Sequence, residues 1–374
     1  MFVRPRAGHV VALTFAILLM QIPPAGAQTR DVYTATGVPV DEKAADGVEA
    51  KRQGLVAGQR TGLRMVMEQI TLNEDHDRLP NPGNDAIRGL VRDFSVESEK
   101  FGGGRYLAQL TVRFRADGVR QLLQERGIPF AETASGPLVV LPVYQAGGRT
   151  TLWDEPNPWL AAWGRYTMTG GLVPLKLPLG DLADVTTINA EQALAGKPEN
   201  VAAIARKYGA VGALAVAGQL DPAGRDGGPL LQVSMTRYSS GMESSTIVQG
   251  YAGRAGTTQD ALFDAAVADM VGQLQEAWKR ENLLRPGAST SEQWLQVRVP
   301  IAQLGDWLAV RDRLNRIPTV TRTEVARLST REAVLDLRYR GTPEQLRIAM
   351  AQQSLNLDYR QDIQNWVLMP AGGR

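Results

Sequence analysis

Three apolar runs bounded by Gly or Pro recur through the middle of the chain: residues 136–144 (GPLVVLPVY), 171–179 (GLVPLKLPL) and 212–220 (GALAVAGQL). Helix-like segments separate them, and this alternation is the pattern of strands buried on both faces of a sheet. Residues 131–285 are therefore expected to form a central α/β layer. A helix is expected over 157–166, with Trp159 and Trp163 at i and i+4, and another over 200–208. After a turn over 222–229, strands over 230–238 and 246–252 form a hairpin. The helix over 260–278 carries a stripe of Phe263, Val267, Met270, Val271, Leu274 and Trp278, which should cover one sheet face.

The flanks have patterns of their own. Residues 28–130 read as an α+β module that begins with an extended segment over 31–40 and a helix over 48–72. In that helix Leu63, Val66, Met67 and Ile70 make one apolar face. In residues 106–114 Tyr106, Ala108, Leu110, Val112 and Phe114 alternate with Leu107, Gln109, Thr111 and Arg113, which predicts a strand. Gly102, Gly103 and Gly104 join two strands, 91–100 and 106–114, so they read as a hairpin turn and not a phosphate loop. The stretch 76–90 reads as a polar loop, and the next helix as capped by Asp117 and ended by Gly127 and Pro129.

Residues 284–291 (LRPGASTS) read as a linker, within a third segment 286–374. Strands over 295–301, 319–328 and 333–340, helices over 303–315 and 342–353, and strand-like segments near 357–360 and 366–369 are expected there. The order βαββαβ is the split βαβ of ferredoxin-like domains. The chain as a whole is thus expected to be multidomain, of mixed α/β and α+β class.

Composition changes the picture at the amino terminus. Arg4 and Arg6, an apolar run over 10–20 and the small residues Ala25, Gly26 and Ala27 form the pattern of a signal peptide over 1–27, cleaved after Ala27. The run is too short to span a bilayer and no later stretch is apolar enough. The chain is therefore expected to be exported, to the periplasm, with no transmembrane segment after cleavage. Loss of Arg4 and Arg6 leaves equal numbers of basic and acidic residues, which argues against nucleic-acid binding.

The chain has no cysteine and 2 histidines, His9 and His76, of which His9 leaves with the leader. Thiol chemistry is excluded, and no metal site or cofactor is expected. His76, beside Glu74, Asp75 and Asp77, reads as a solvated loop histidine, since those acids lack calcium-loop spacing. Asp181 and Asp184 leave the second apolar run where ligands collect in open α/β sheets, and are the first site candidates; helix capping is the other reading. Tyr144, Trp153, Asp154 and Glu155 are the candidates for a ligand or partner surface at the mouth of the sheet. Trp159 and Trp163 read as core or as a ligand platform.

The segment around Gly127, Ile128 and Pro129 leading into GPLVVLPVY, the segment GLVPLKLPLGDLADV, and ARKYGAVGALAVAGQL with the hairpin and helix after it resemble the bacterial domain-of-unknown-function family 2066. This resemblance implies an exported protein without an assigned activity, and it carries over no functional residue. Leu141 and Pro142 depart from it, where a tryptophan is expected. The element order of the central unit is also similar to small α/β domains of envelope proteins. The function expected is a non-enzymatic protein whose modules bind other envelope components. The alternatives are an enzyme using Asp181 and Asp184, with or without a divalent cation, and a small-ligand carrier.

Overall fold

Strands β1 (Thr34–Lys43), β2 (Val91–Gly102) and β3 (Arg105–Phe114) form an antiparallel sheet with β3 in the middle. Gly103 and Gly104, both at positive φ, turn β2 into β3, a conformation open to glycine. Helix α1 (Gly47–Ile70) starts at Asp46, whose carboxylate accepts the Val48 and Glu49 N–H groups. Gly54, Gly58 and Gly62 face the sheet. A Cβ on Gly58 would stand 2.5 Å from Leu110 Cδ1, so their spacing sets how closely helix and sheet approach. The structure is a computed structural model that describes residues 31–167, 170–222, 224, 228–239, 244–284, 293–317 and 319–370. The leader, Ala27 included, and the linker after Leu284 lie outside the described residues.

Two expectations for this module need correction. The stretch after α1 is not a loop: it holds a 3-10 helix (Asn73–Arg78) and α2 (Asn84–Leu90), anchored by buried Leu79 and Ile87. Helix α3 (Ala116–Glu125) is not capped by Asp117. It starts at Arg115, whose N–H is held by the Leu90 carbonyl at 2.8 Å, and Asp117 in the first turn pairs with Arg120.

The central sheet contains β4 (Leu138–Ala146), β5 (Arg149–Thr151), β6 (Leu175–Lys176), β7 (Gly212–Asp221), β8 (Leu230–Ser239) and β9 (Ser245–Ala252). Parallel β7 flanks β4 on one side, while β6 and β5 share its other side, and antiparallel β8 and β9 extend the sheet beyond β7. All three apolar runs meet at β4. The second run gives only two strand residues. Pro174 and Pro178 lack donors, and the Leu172 and Val173 N–H groups go to Gln275 Oε1 instead of a ladder.

Proline in the middle of a strand normally removes a ladder bond. Pro142 removes none, because β6 pairs at Leu138 and Val139 and β5 begins at Tyr144, and Pro142 falls in the gap between them. Its carbonyl accepts from Asn157 Nδ2.

Helices cover both faces, which is why β4 and β7 are apolar without alternation. On one face lie α4 (Pro158–Arg165) and α8 (Gln259–Glu281), packed on Leu138, Val140, Leu214 and Val216. On the other face α6 (Ala190–Leu194) and α7 (Pro198–Lys207), with α5 (Leu182–Thr187) packed on α7, surround Val139, Leu141, Val143 and Ala213. The α8-side core runs on without a break into that of the first sheet. At this junction Lys279 of α8, 4% exposed, pairs with Glu276 and donates to the Glu68 and Thr71 carbonyls at the end of α1. Glu276 in turn accepts the Asn73 N–H.

The last segment comprises β10 (Gln293–Pro300), α9 (Leu304–Leu314), β11 (Val320–Leu328), β12 (Glu332–Tyr339), α10 (Pro343–Gln352), β13 (Leu355–Arg360) and β14 (Asn365–Pro370). Both closing segments are strands, so the order is βαββαββ. The sheet runs β11-β12-β10-β14-β13, with β10 antiparallel to β12 and parallel to β14. This segment has its own closed core. Only one face of α10 reaches the central layer: Gln345 donates to the Leu283 carbonyl, Ile348 packs on the main core, and Gln352 binds Gly136. Among the described residues no helix is long and apolar enough to cross a membrane.

Candidate functional site

Asp181 and Asp184 are brought together by the first turn of α5. Asp181 is its N-cap, accepting the Asp184 N–H at 2.9 Å, so the capping reading holds for that residue. Asp184 is fully buried, and its carboxylate is saturated. Oδ1 accepts Lys207 Nζ at 2.7 Å, and Oδ2 accepts the Tyr208 hydroxyl at 2.7 Å and the Gly180 N–H at 2.9 Å. Lys207 bridges to Asp181 as well, at 2.7 Å. The network ties the loop before α5 to the end of α7.

This arrangement is chemically quiet. The Lys207 hydrogen bond holds the Asp181 carboxyl below its usual range, and the two carboxylates hold the Lys207 ammonium above its own. Burial raises the Tyr208 hydroxyl. Acid–base catalysis needs a group that exchanges a proton near the working pH, and these shifts move each group away from neutrality. Among the described residues no three His, Cys, Asp or Glu side chains are placed to hold a metal ion.

What the network presents is apolar. Leu182 and Val185 of α5, and Leu179 in the loop just before its cap, stand exposed by 79%, 45% and 86%. Their sequence gave no sign that nothing covers them.

The other sequence candidates do not converge. Tyr144 packs edge-on to Phe263 on the α8 face, with ring centroids 6.0 Å apart, whereas Trp153 packs on the opposite face and donates to the Ile188 carbonyl. Asp154 and Glu155 are exposed in the bend beyond Trp153. Trp159 and Trp163 are core residues: Trp159 donates to the Val216 carbonyl and packs edge-on to both Trp163 and Phe263. His76 is half-buried and not a solvated loop residue. Its carbonyl is bound by Arg64 of α1, which draws the turn onto the helix, and its Nε2 is enclosed without a partner.

Sequence reasoning missed a cleft of about 600 Å³ between α7 and the last module. Its walls include Val201, Ala202 and Ala205 of α7, Tyr238 of β8 and Gln352 of α10, and among the described residues its one charged lining residue is Arg206. No motif marks it, because its walls come from segments more than 100 residues apart. The chain matches no family model and no curated protein.

Proposed function

We propose that this chain is a non-enzymatic, exported protein of the cell envelope that binds another protein through the Leu179–Leu182–Val185 strip. One observation carries the reading: the two carboxylates that could have been catalytic are fully engaged in holding a turn whose outward side chains are bare aliphatics. Isolated exposed apolar residues are ordinary, but three within seven residues, on α5 and the loop its cap holds, support a contact surface. The charged leader, the apolar run and the small residues before Gln28 support export to the periplasm with cleavage after Ala27. The resemblance to the exported domain-of-unknown-function family 2066 supports the same location. The placement of β12 between β10 and β11, antiparallel to both, supports a ferredoxin-like reading of the last module, a type often used for interaction, from which β14, parallel to β10 and lying between it and β13, is the departure.

The test places a photo-crosslinking side chain at Leu182 and, as a control, at exposed Glu191 of α6, in cells producing the full chain. A discrete adduct in the envelope fraction is expected from position 182 only, and it should disappear in the double variant Leu179→Asp/Val185→Asp. Absence of any adduct specific to position 182, or its persistence in that double variant, rejects the reading. Fractionation with amino-terminal sequencing checks export separately.

A further inference from the structure

The cleft between α7 and the last module shares no residue with the exposed aliphatic strip; Tyr238 in its wall donates to the Leu194 carbonyl, whereas two of its donors are open. Gln352 is 6% exposed, and its Oε1 accepts the Gly136 N–H at 2.7 Å and the Ser135 hydroxyl at 3.2 Å. Because a backbone N–H can only donate, this fixes which end of the amide is oxygen. The Nε2 group is left on the cleft wall with two donor hydrogens and no acceptor among the described residues. A donor that the protein leaves open on a cleft wall is met by water or by a ligand.

The rest of the lining narrows the chemistry. Arg206 is the only charged residue there and has no carboxylate partner among the described residues. Val201 and Ala205 are buried, and with Pro198 and Ala202 they make one wall a continuous aliphatic surface along α7. A volume of about 600 Å³ lies within the usual range of small-molecule sites, and water alone would find few partners along that wall. A single cation does not suit a polyphosphate, and among the described residues no acid or imidazole lines the cleft to hold a metal ion.

We infer that this cleft is a binding site for a small organic carboxylate with an aliphatic body, its oxygens taken by Gln352 Nε2 and the Arg206 guanidinium and its chain laid along the Pro198–Ala205 face of α7. The carboxylate satisfies both open donors, and the aliphatic body covers the apolar wall. The two modules then close on a common ligand.

The test uses the full chain, with decanoate below its micellar concentration as probe and decanol as its uncharged match, followed by calorimetric titration. Saturable one-to-one binding of decanoate is expected, with decanol at least about tenfold weaker, the size of one charge-assisted hydrogen bond. Arg206→Gln, at an exposed position that should not disturb folding, is expected to weaken decanoate about tenfold and leave decanol unchanged. Gln352→Glu keeps the bond to Gly136 but replaces the donor with a negative charge, and is expected to abolish decanoate binding. No saturable binding, equal affinity for decanoate and decanol, or unchanged decanoate affinity in Arg206→Gln overturns the inference.

Discussion

The central layer is joined to its two neighbours in opposite ways. Toward the first sheet the apolar core is continuous, and a buried ion pair, Lys279 with Glu276, is consumed in binding the backbone at the end of α1. Toward the last module each side has a closed core of its own, and contact rests on two glutamines, one isoleucine and the rim of an open cleft. Shared apolar surface makes two units lose stability together, whereas a narrow polar contact lets each melt separately. The difference teaches that the first two segments behave as one cooperative body, with the third a docked neighbour. Scanning calorimetry is expected to show two transitions, one for the first two segments and one for the last; a single transition removes the contrast.

The largest effect is expected from Lys279→Ala, which strands a buried Glu276 and frees two carbonyls. Breaking such a pair from one side costs about 3–5 kcal/mol, so the first transition should drop steeply while the second stays in place. A loss under about 1 kcal/mol would mean that the ion pair does not hold the joint.

Next comes Asp184→Ala. It leaves the Gly180 N–H, the Tyr208 hydroxyl and Lys207 without their acceptor, at a cost of about 2–3 kcal/mol, again confined to the first transition. A matching shift of the second transition would show that the modules are energetically fused. Gln345→Ala removes one neutral hydrogen bond across the loose joint and the α10 capping bond from the Thr342 N–H, each worth about 1 kcal/mol. It should widen the gap between the two transitions without lowering the first, as followed by the same scans.

The smallest effect is in pH. Asp181 is held below its usual range, so its contribution is present above the unfolded value of about 3.9 and is lost as pH falls through its lower folded value. Lys207 is held above its own, so its contribution is intact below about 10.4 and is lost as pH rises through its higher folded value. Melting of the first transition should therefore be flat across neutral pH and fall at both ends. In Asp181→Asn the difference from the unaltered protein should shrink at the acid end, and a constant difference there would contradict the assignment.

Much of the fold was legible along the chain because it depends on local period. The stripe on α8, the alternation in β3 and the cap and proline at the start of α10 each follow from neighbours a few residues apart. The strand expected over 171–179 failed because its donors were taken by Gln275, about a hundred residues away. The α2 helix was hidden by its polar, Pro- and Gly-rich flanks, and Asp117 was displaced as a cap by the Leu90 carbonyl.

The site divides along the same line. That Asp181 and Asp184 belong together, and that thiol chemistry is closed to this chain, could be read from spacing and composition alone. Their neutralisation by Lys207 and Tyr208, the separation of Tyr144 from Trp153 on opposite faces, and the meeting of Arg206 with Gln352 in one cleft were decided only by the packed structure. Sequence period sets which face of an element is apolar, since that is a property of a few adjacent residues. Which polar groups are satisfied depends on what the rest of the chain brings against them.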